Sequence, residues 1–187
     1  MSCLLCRGRE GDAELRRAQV WEDRLWRLTM SLGGYVPGFS YLEPKRHIPY
    51  ITDLDGEEAA TLGEVLAKVT RALREETAAE LVYVYVFGGG IPHLHITLAP
   101  HREGDALYDR LLRGEIVEEK QPSGAVRLIS KEFPPIAEER QRATAAGVQR
   151  RLSGPNAAAP TPPKRTISDQ EDLSRWEGEG GPPSGNG

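Results

Sequence analysis

Three of the chain's four histidines lie close together in the segment IPHLHITLAPH, at residues 91–101. Alternate residues of a β-strand face the same side of a sheet, so this segment has a polar face opposite an aliphatic one. Imidazoles at every second position favour a functional site over an incidental polar surface. The predicted polar face consists of His93, His95, Thr97, Ala99 and His101.

A second group of chemically active side chains is spread along the chain. Cys3 and Cys6 form a C-x-x-C pair, and His47 follows the tripeptide PKR. With His93 they would make a Cys₂His₂ set suited to tetrahedral zinc, which favours thiolate and imidazole ligands. The spacing is not that of a zinc finger. Taken alone, the C-x-x-C pair is equally compatible with a redox pair, a metal site or thiols of no special role.

Hydrophobic periodicity predicts the elements that must position these residues. Residues 18–30 read as a strand pair with core candidates Val20, Leu25, Trp26 and Leu28, and residues 39–43 as the next strand. Apolar residues recur at helical spacing over residues 56–77, which predicts a long amphipathic helix capped by Asp53 or Asp55. Further predicted elements are a strand at residues 92–99 and helices at residues 105–113 and 135–152. The order of elements indicates an α+β layer architecture.

The segment LVYVYVF at residues 81–87 is apolar at every position, which predicts a strand buried on both faces. On this interpretation Tyr83 and Tyr85 pack in the core instead of reaching a ligand. Three glycines, Gly88 to Gly90, follow the segment. They can let a phosphate approach the backbone, but a simple turn is the favoured interpretation.

Composition narrows the class of protein. The 187 residues carry a formal net charge of −4, which argues against broad nucleic-acid binding. We expect no membrane span and no secretory signal, because no apolar run is long enough for either. The expected location is therefore the cytoplasm, with both cysteines reduced. Residues 153–187 are rich in Pro and Gly, so we expect a domain at residues 1–152 followed by a disordered tail.

Three segments together resemble the histidine-triad (HIT) superfamily. PHLHITLAP is similar to the family's histidine motif, EPKRHIPYITDL to its upstream P-K-x-H segment, and CLLC to the zinc half-site of many bacterial members. The resemblance covers about residues 1–102. It implies a HIT-like α+β fold with an antiparallel sheet and a long helix, usually paired as a homodimer and acting on nucleotides or nucleotidyl conjugates.

The resemblance also implies roles for individual residues. His95, the middle motif position, would be the nucleophile that forms a covalent nucleotidyl-histidine intermediate at an α-phosphate. A neutral imidazole whose Nδ1–H is held by a backbone carbonyl would offer an unprotonated Nε2 for this attack. Cys3, Cys6, His47 and His93 would hold one structural Zn²⁺ per chain, because four protein ligands leave no open position.

The sequence departs from the family pattern at two places. Thr97 stands where hydrolase branches have a third histidine and the galactose-1-phosphate uridylyltransferase branch has glutamine. Threonine could donate one hydrogen bond to a phosphate oxygen, or it could simply suit a strand. The family's asparagine- and glutamine-containing loop is also absent, and Gly88 to Gly90 occupy its position.

Residues flanking the motifs are the candidates for binding substrate. Lys45 and Arg46 are candidate phosphate ligands, although solvated charges are the commoner interpretation of such residues. His101 would lie on the catalytic face if the strand stays extended past Pro100, and in an exposed loop otherwise. The candidate substrate-binding set is Lys45, Gly89, Gly90, His101 and Arg102.

Two functional hypotheses follow. The leading one is an enzyme, a nucleotidyl hydrolase or nucleotidyltransferase acting through His95 and Thr97. The alternative is a nucleotide-binding or scaffold protein that retains the zinc-stapled fold but has weakened catalysis, which Thr97 and the glycine loop suggest.

Overall fold

The computed structural model describes residues 3–86, 90–102, 116–122, 124, 126–130 and 135–154, all of which lie within one unit, Met1–Ala157. The strands are β1 (Arg17–Glu22), β2 (Trp26–Ser31), β3 (Ser40–Pro44), β4 (Leu81–Tyr85), β5 (Ile96–His101), β6 (Ile116–Lys120) and β7 (Val126–Ser130). The α-helices are α1 (Arg9–Glu14), α2 (Gly56–Thr77) and α3 (Glu138–Ser153), and short 3-10 helices cover Leu5–Arg7 and Ile51–Asp53.

Five antiparallel strands form the main sheet in the order β1-β2-β3-β5-β4. The predicted strand pair at residues 18–30 is the β1–β2 hairpin, whose ladder shifts register between Gln19 and Trp21. This bulge allows both Val20 and Trp21 to pack against the core. β6 and β7 pair separately as a two-stranded antiparallel sheet. The predicted α+β class is confirmed.

The two faces of the main sheet differ in chemistry. On one face, aliphatic and aromatic side chains of the strands, such as Leu42 and Leu98, form a core with apolar residues of α2 and α3. The register of the ladders and the alternation of side chains place polar residues on the other face. These are Arg27 and Thr29 on β2, Tyr41 and Glu43 on β3, and Thr97 and His101 on β5.

Helix α2 matches the sequence prediction at both ends. Asp55 occupies the N-cap position, although its side chain makes no capping hydrogen bond. The helix ends at Ala78, whose φ of 52° is left-handed. Val69 and Leu73, two of the predicted apolar positions, are fully buried. Packing of this apolar face, more than the cap, therefore fixes the helix on the sheet.

Helix α3 begins three residues later than predicted and anchors the β2–β3 loop through Gln141. This side chain is fully buried; it accepts a hydrogen bond from Gly38 N at 3.1 Å and donates one to Val36 O at 3.0 Å. Gly38 has a φ of +80°, and a Cβ there would lie 2.9 Å from the Thr77 side chain, so the loop requires glycine.

The prediction of a buried central strand at residues 81–87 is wrong. Among the described strands, β4 lies at the edge of the main sheet and pairs with β5, whereas Phe87 lies outside the described residues. Tyr83 is 40% exposed and Val84 is 45% exposed, and Tyr85 is half-buried, so neither tyrosine lies in a closed core. A continuous apolar run does not distinguish a central strand of a sheet from a strand at its edge.

Other predicted segments have no structural counterpart to compare. The expected helix at residues 105–113 lies outside the described residues. The expected tail covers residues 153–187, but Ser153 is the last residue of α3, and the chain from residue 155 onwards lies outside the described residues. Among the described residues, no helix is long and apolar enough to cross a membrane.

We predict that Gln141→Ala lowers the free energy of unfolding by about 2 kcal/mol or more. The substitution leaves the buried Gly38 N–H without its acceptor, which costs about 1–3 kcal/mol. It also removes one of the two donors to Val36 O, which keeps its hydrogen bond from Phe39 N at 3.3 Å. Chemical denaturation followed by circular dichroism measures the change. Gln149→Ala is the matched control, because Gln149 is exposed on the same helix. Equal stability of the two variants would contradict the prediction.

Candidate functional site

The four residues grouped as metal ligands in the sequence come together in the structure. Their donor atoms all lie within 4.8 Å of one another. Cys3 Sγ and Cys6 Sγ each lie 3.4 Å from His93 Nδ1, and Cys6 Sγ lies 3.4 Å from His47 Nδ1. The edge of a tetrahedron with zinc–ligand bonds of about 2.0–2.3 Å is roughly 3.5 Å. The donor types and their spacing therefore fit Zn²⁺.

Three parts of the chain build this cluster. Cys3 precedes the 3-10 helix Leu5–Arg7 and Cys6 lies within it, His47 follows β3, and His93 precedes β5. The 3-10 helix packs tightly on α1, since a Cβ at Gly11 would lie within 3 Å of Leu4 O. Glycine at this position therefore allows the thiols to reach the histidines.

Buried hydrogen bonding selects which nitrogen of His93 faces the cluster. The ring is 1% exposed, and its Nε2 lies 2.9 Å from Pro44 O. Because a carbonyl oxygen only accepts, Nε2 carries the proton and Nδ1 presents its lone pair to the thiols. Burial lowers the pKa of His93, which favours the neutral ring that metals bind.

The Cys6 thiol has the opposite preference, because its surroundings favour the protonated form. Desolvation, together with the hydrogen bond and charge of Cys3, raises the pKa of the Cys6 thiol to about 11. Although the Cys6 side chain is exposed as a whole, its sulfur faces the cluster. A bound cation reverses this preference, because it stabilises thiolates.

His95 lies beside this cluster but takes no part in it. Its Nδ1 is 2.7 Å from His93 O, so Nδ1–H donates to the carbonyl and Nε2 is directed away from that bond. The side chain is half-buried, and its ring meets the Tyr41 ring at a centroid distance of 6.3 Å. The expected carbonyl-held imidazole is present in the structure.

The expectation of one strand face carrying every motif histidine is wrong in one respect. β5 begins at Ile96, so His93 and His95 precede the strand. Their backbone bonds elsewhere, since Leu94 N donates to Ile48 O at 2.6 Å. Because these residues lie outside the strand, the His93 ring can face the cysteines while the His95 ring contacts Tyr41.

Thr97 and His101 do lie on β5, and both are buried. Thr97 pairs with Tyr41 of β3 and Tyr85 of β4, which places it on the same face as Tyr41. His101 packs against the Tyr83 ring at 5.5 Å, so it is not the exposed loop histidine considered as the alternative. Arg102 follows at the end of the strand and is half-buried.

The basic residues before the motif form ion pairs with acidic side chains. Lys45 Nζ lies 3.2 Å from Glu22 Oε2 and 3.2 Å from Asp23 O. Arg46 pairs with Asp55 and with Glu58. Gly90 is exposed, with open space where a Cβ would be, whereas Gly89 lies outside the described residues.

A buried ionic network that sequence reasoning missed lies on the polar face of the sheet. Glu43, fully buried, accepts hydrogen bonds from Arg17 at 2.6 Å and from Arg27 at 2.8 Å. Arg27 also donates to Asp12 of α1 at 2.7 Å. Burial acts to lower the pKa of Arg27, but Glu43 and Asp12 hold it above its ordinary value. The available sequence signal was a single charged residue, Arg27 or Glu43, within each of the otherwise uncharged strands β2 and β3.

A cleft of about 820 Å³ lies elsewhere, between α1, β1 and α3, and His95 does not line it. Two of its guanidiniums, those of Arg16 and Arg142, are already paired with Glu138. We assign it no ligand.

Comparisons with known proteins agree with this geometry. No protein-family model matches the chain. Over 112 residues, 57% of the chain is 26% identical to uncharacterized HIT-like proteins of two Mycobacterium tuberculosis strains, covering 76% of their length.

Solved structures give the same result over more of the chain. A zinc-bound histidine triad family protein from Mycobacterium smegmatis has a TM-score of 0.54 at 24% identity, over 80% of this chain and 95% of that one. A hypothetical histidine triad nucleotide-binding protein from Sulfolobus tokodaii has a TM-score of 0.57 at 18% identity, over 80% of this chain and 91% of that one.

The chain therefore has an α+β fold of the histidine-triad type. The resemblance seen in its sequence is confirmed at the level of the fold, and none of these comparisons tests the H-x-H-x-T variant of the motif.

Proposed function

We propose that the protein is a nucleotidyl hydrolase or nucleotidyltransferase that acts at the α-phosphate of a nucleotide conjugate. The observation that carries the proposal is the 2.7 Å contact between His95 Nδ1 and His93 O. It leaves Nε2 as the atom of the ring that can attack. The histidine-triad fold and the nucleotide-binding relative from Sulfolobus tokodaii support nucleotides as the substrate class.

In the proposed reaction, the lone pair of His95 Nε2 attacks the α-phosphorus. The new N–P bond forms as the P–O bond to the leaving group breaks, and the leaving group departs with that electron pair. His93 O stabilises the positive ring of the intermediate through Nδ1–H. Water or another acceptor hydroxyl then attacks phosphorus and loses its proton, and the N–P electrons return to Nε2.

The remaining candidate residues would act by positioning and charge. Thr97 Oγ1 would donate to a phosphate oxygen from the face that carries Tyr41. Lys45, His101, Arg102 and the backbone of Gly89 and Gly90 stay predictions for binding substrate. Of these, Lys45 would have to exchange Glu22 for a phosphate, since the two are 3.2 Å apart.

One Zn²⁺ per chain, held by Cys3, Cys6, His47 and His93, would have a structural role. Four protein ligands leave no site for substrate, and the ion would supply only the charge that stabilises thiolates. The zinc-bound relative from Mycobacterium smegmatis and the donor cluster support this assignment. Both cysteines are free thiols, which suits the cytoplasmic location that we retain in the proposal, together with a domain at residues 1–152 and a disordered tail.

A catalytically weakened nucleotide-binding or scaffold protein is the second candidate. Two observations favour it: Thr97 is only 5% exposed, and the Lys45 and Arg46 charges are paired with acidic side chains. Burial leaves the neutral Thr97 hydroxyl little room to reach a phosphate. The ion pairs of Lys45 and Arg46 leave less positive charge available to meet the developing negative charge of a phosphate.

We further propose a homodimer formed through β4. This edge strand carries Tyr83 and Val84, which are 40% and 45% exposed. Light scattering should give twice the chain mass. Val84→Lys, which places like charges in the contact, should shift the protein towards the monomer, whereas Glu64→Lys on α2 should not. A monomeric wild-type protein would contradict the proposal.

Elemental analysis should find about one zinc per chain. Cys3→Ser should lose most of the metal and lower the melting temperature, because it removes one of four ligands. Lys45→Ala, two residues from His47 but paired with Glu22, is the control and should keep the metal. An unchanged zinc content and melting temperature in Cys3→Ser would refute the assignment.

His95→Ala should abolish turnover while retaining metal and fold, since His95 lies outside the cluster. Adenosine 5′-phosphoramidate, diadenosine tetraphosphate and a uridine diphosphate sugar form the substrate panel. Intact-mass analysis should show an acid-labile nucleotidyl adduct on the wild-type protein and none on the variant. Wild-type activity in His95→Ala would exclude the mechanism. Nucleotide binding with neither adduct nor turnover would favour the scaffold candidate.

A further inference from the structure

Within the part of the chain that the structure describes, one hydrogen bond holds the ring of His95, and one bond does not define the plane of the ring. The Nδ1–His93 O contact holds a single atom, about which the ring can still tilt. A nucleophilic nitrogen must point along the line of attack, so tilt has a direct effect on rate. A second contact on the ring is therefore needed for a defined trajectory.

Tyr41 provides that contact. Its ring meets His95 edge to face, with centroids 6.3 Å apart and an angle of 63° between planes. Both values lie in the range preferred by aromatic pairs. On its other side Tyr41 meets Phe39, with ring centroids 5.6 Å apart. These contacts belong to the ring of Tyr41 and not to its hydroxyl.

Arg17 holds the face of Tyr41. The guanidinium carbon lies 3.7 Å from the Tyr41 ring centroid, well within cation–π distance. Because Arg17 covers this face of the ring, this face is not available to stack on a nucleobase. Arg17 is itself held by Glu43 at 2.6 Å, and their side chains are only 7% and 0% exposed.

The charge of Arg17 is balanced within the protein. Arg17 and Arg27 carry two positive charges, and Glu43 and Asp12 carry two negative ones. Because its charge is neutralised in this way, the Arg17 guanidinium acts mainly by holding the Tyr41 ring in position. Its planar shape covers an aromatic face and bonds to a carboxylate at the same time, which a lysine ammonium does not do.

We propose that Tyr41, clamped by Arg17, is a positioning residue that sets the plane of the His95 ring. The inference rests on the proposed role of His95 as nucleophile, but it concerns residues that lie on β1 and β3, outside the histidine motif. The contact of Arg17 with Glu43 continues through Arg27 to Asp12. It thereby connects Tyr41 to α1, the helix that follows the cysteine pair.

The test uses the zinc-loaded, full-length protein with ¹³C-labelled histidine. Tyr41→Leu should shift the Cε1–H resonance of His95 and broaden it, because the ring loses its neighbour. Arg17→Lys should produce a smaller change in the same direction. Tyr41→Phe should keep the wild-type signal, and Arg24→Lys and Tyr50→Leu, two exposed positions, are matched controls. An unchanged His95 resonance in a folded Tyr41→Leu variant would overturn the proposal.

Kinetics give the second readout. With adenosine 5′-phosphoramidate, Tyr41→Leu should slow adduct formation in a single turnover by about 10- to 100-fold, with KM within twofold of wild type. A changed KM at constant kcat would instead make Tyr41 a binding residue and contradict positioning. A wild-type protein that forms no adduct would refute the proposed function but not the positioning role of Tyr41. The Cε1–H resonance still shows whether Tyr41 orients the His95 ring.

Discussion

The site depends on the burial of a single imidazole, that of His93. Its Nε2–H donates to Pro44 O and its Nδ1 faces the thiols of Cys3 and Cys6. Its own carbonyl then receives the Nδ1–H of His95. Each bond fixes the proton position of the next ring, because carbonyl oxygens only accept. A metal at the cluster would therefore be linked to Nε2 of His95, the proposed nucleophile, through two rings and one peptide group, and its four protein ligands would leave no position for substrate.

A second constraint is the ionic network on the polar face of the sheet, the same face that carries Tyr41. Burying four charged side chains is costly, and the network offsets the cost by alternating signs and directed hydrogen bonds between Asp12, Arg27, Glu43 and Arg17. Removing Arg27 would leave the Asp12 charge without its partner, and removing Glu43 would do the same to Arg17. Such networks do little for stability compared with apolar packing, and their value is specificity of arrangement. Here the arrangement ties the N-terminal segment to β2 and β3, while Arg17 covers Tyr41.

The sequence predicted those features whose physical cause is local or chemically distinctive. Helical periodicity gave α2, and the scarcity of Cys and His made the ligand set easy to recognise. It could not predict that β4 is an edge strand, because strand order is a property of the whole chain. Nor could it place the start of β5, since Leu94 N bonds to the distant Ile48 O. The partnership of Arg17 with Tyr41 was hidden because arginines are usually solvated.

The central claim is that His95 presents an unprotonated Nε2 while His93 O holds its Nδ1–H. Long-range ¹H–¹⁵N correlation of the imidazole nitrogens in the zinc-loaded protein tests it directly, at a pH where the ring is neutral. The account predicts a protonated Nδ1 and a pyridine-type Nε2 for His95, together with a protonated Nε2 for His93. A His95 ring protonated at Nε2, or one whose Nε2 is bound to metal, would contradict it.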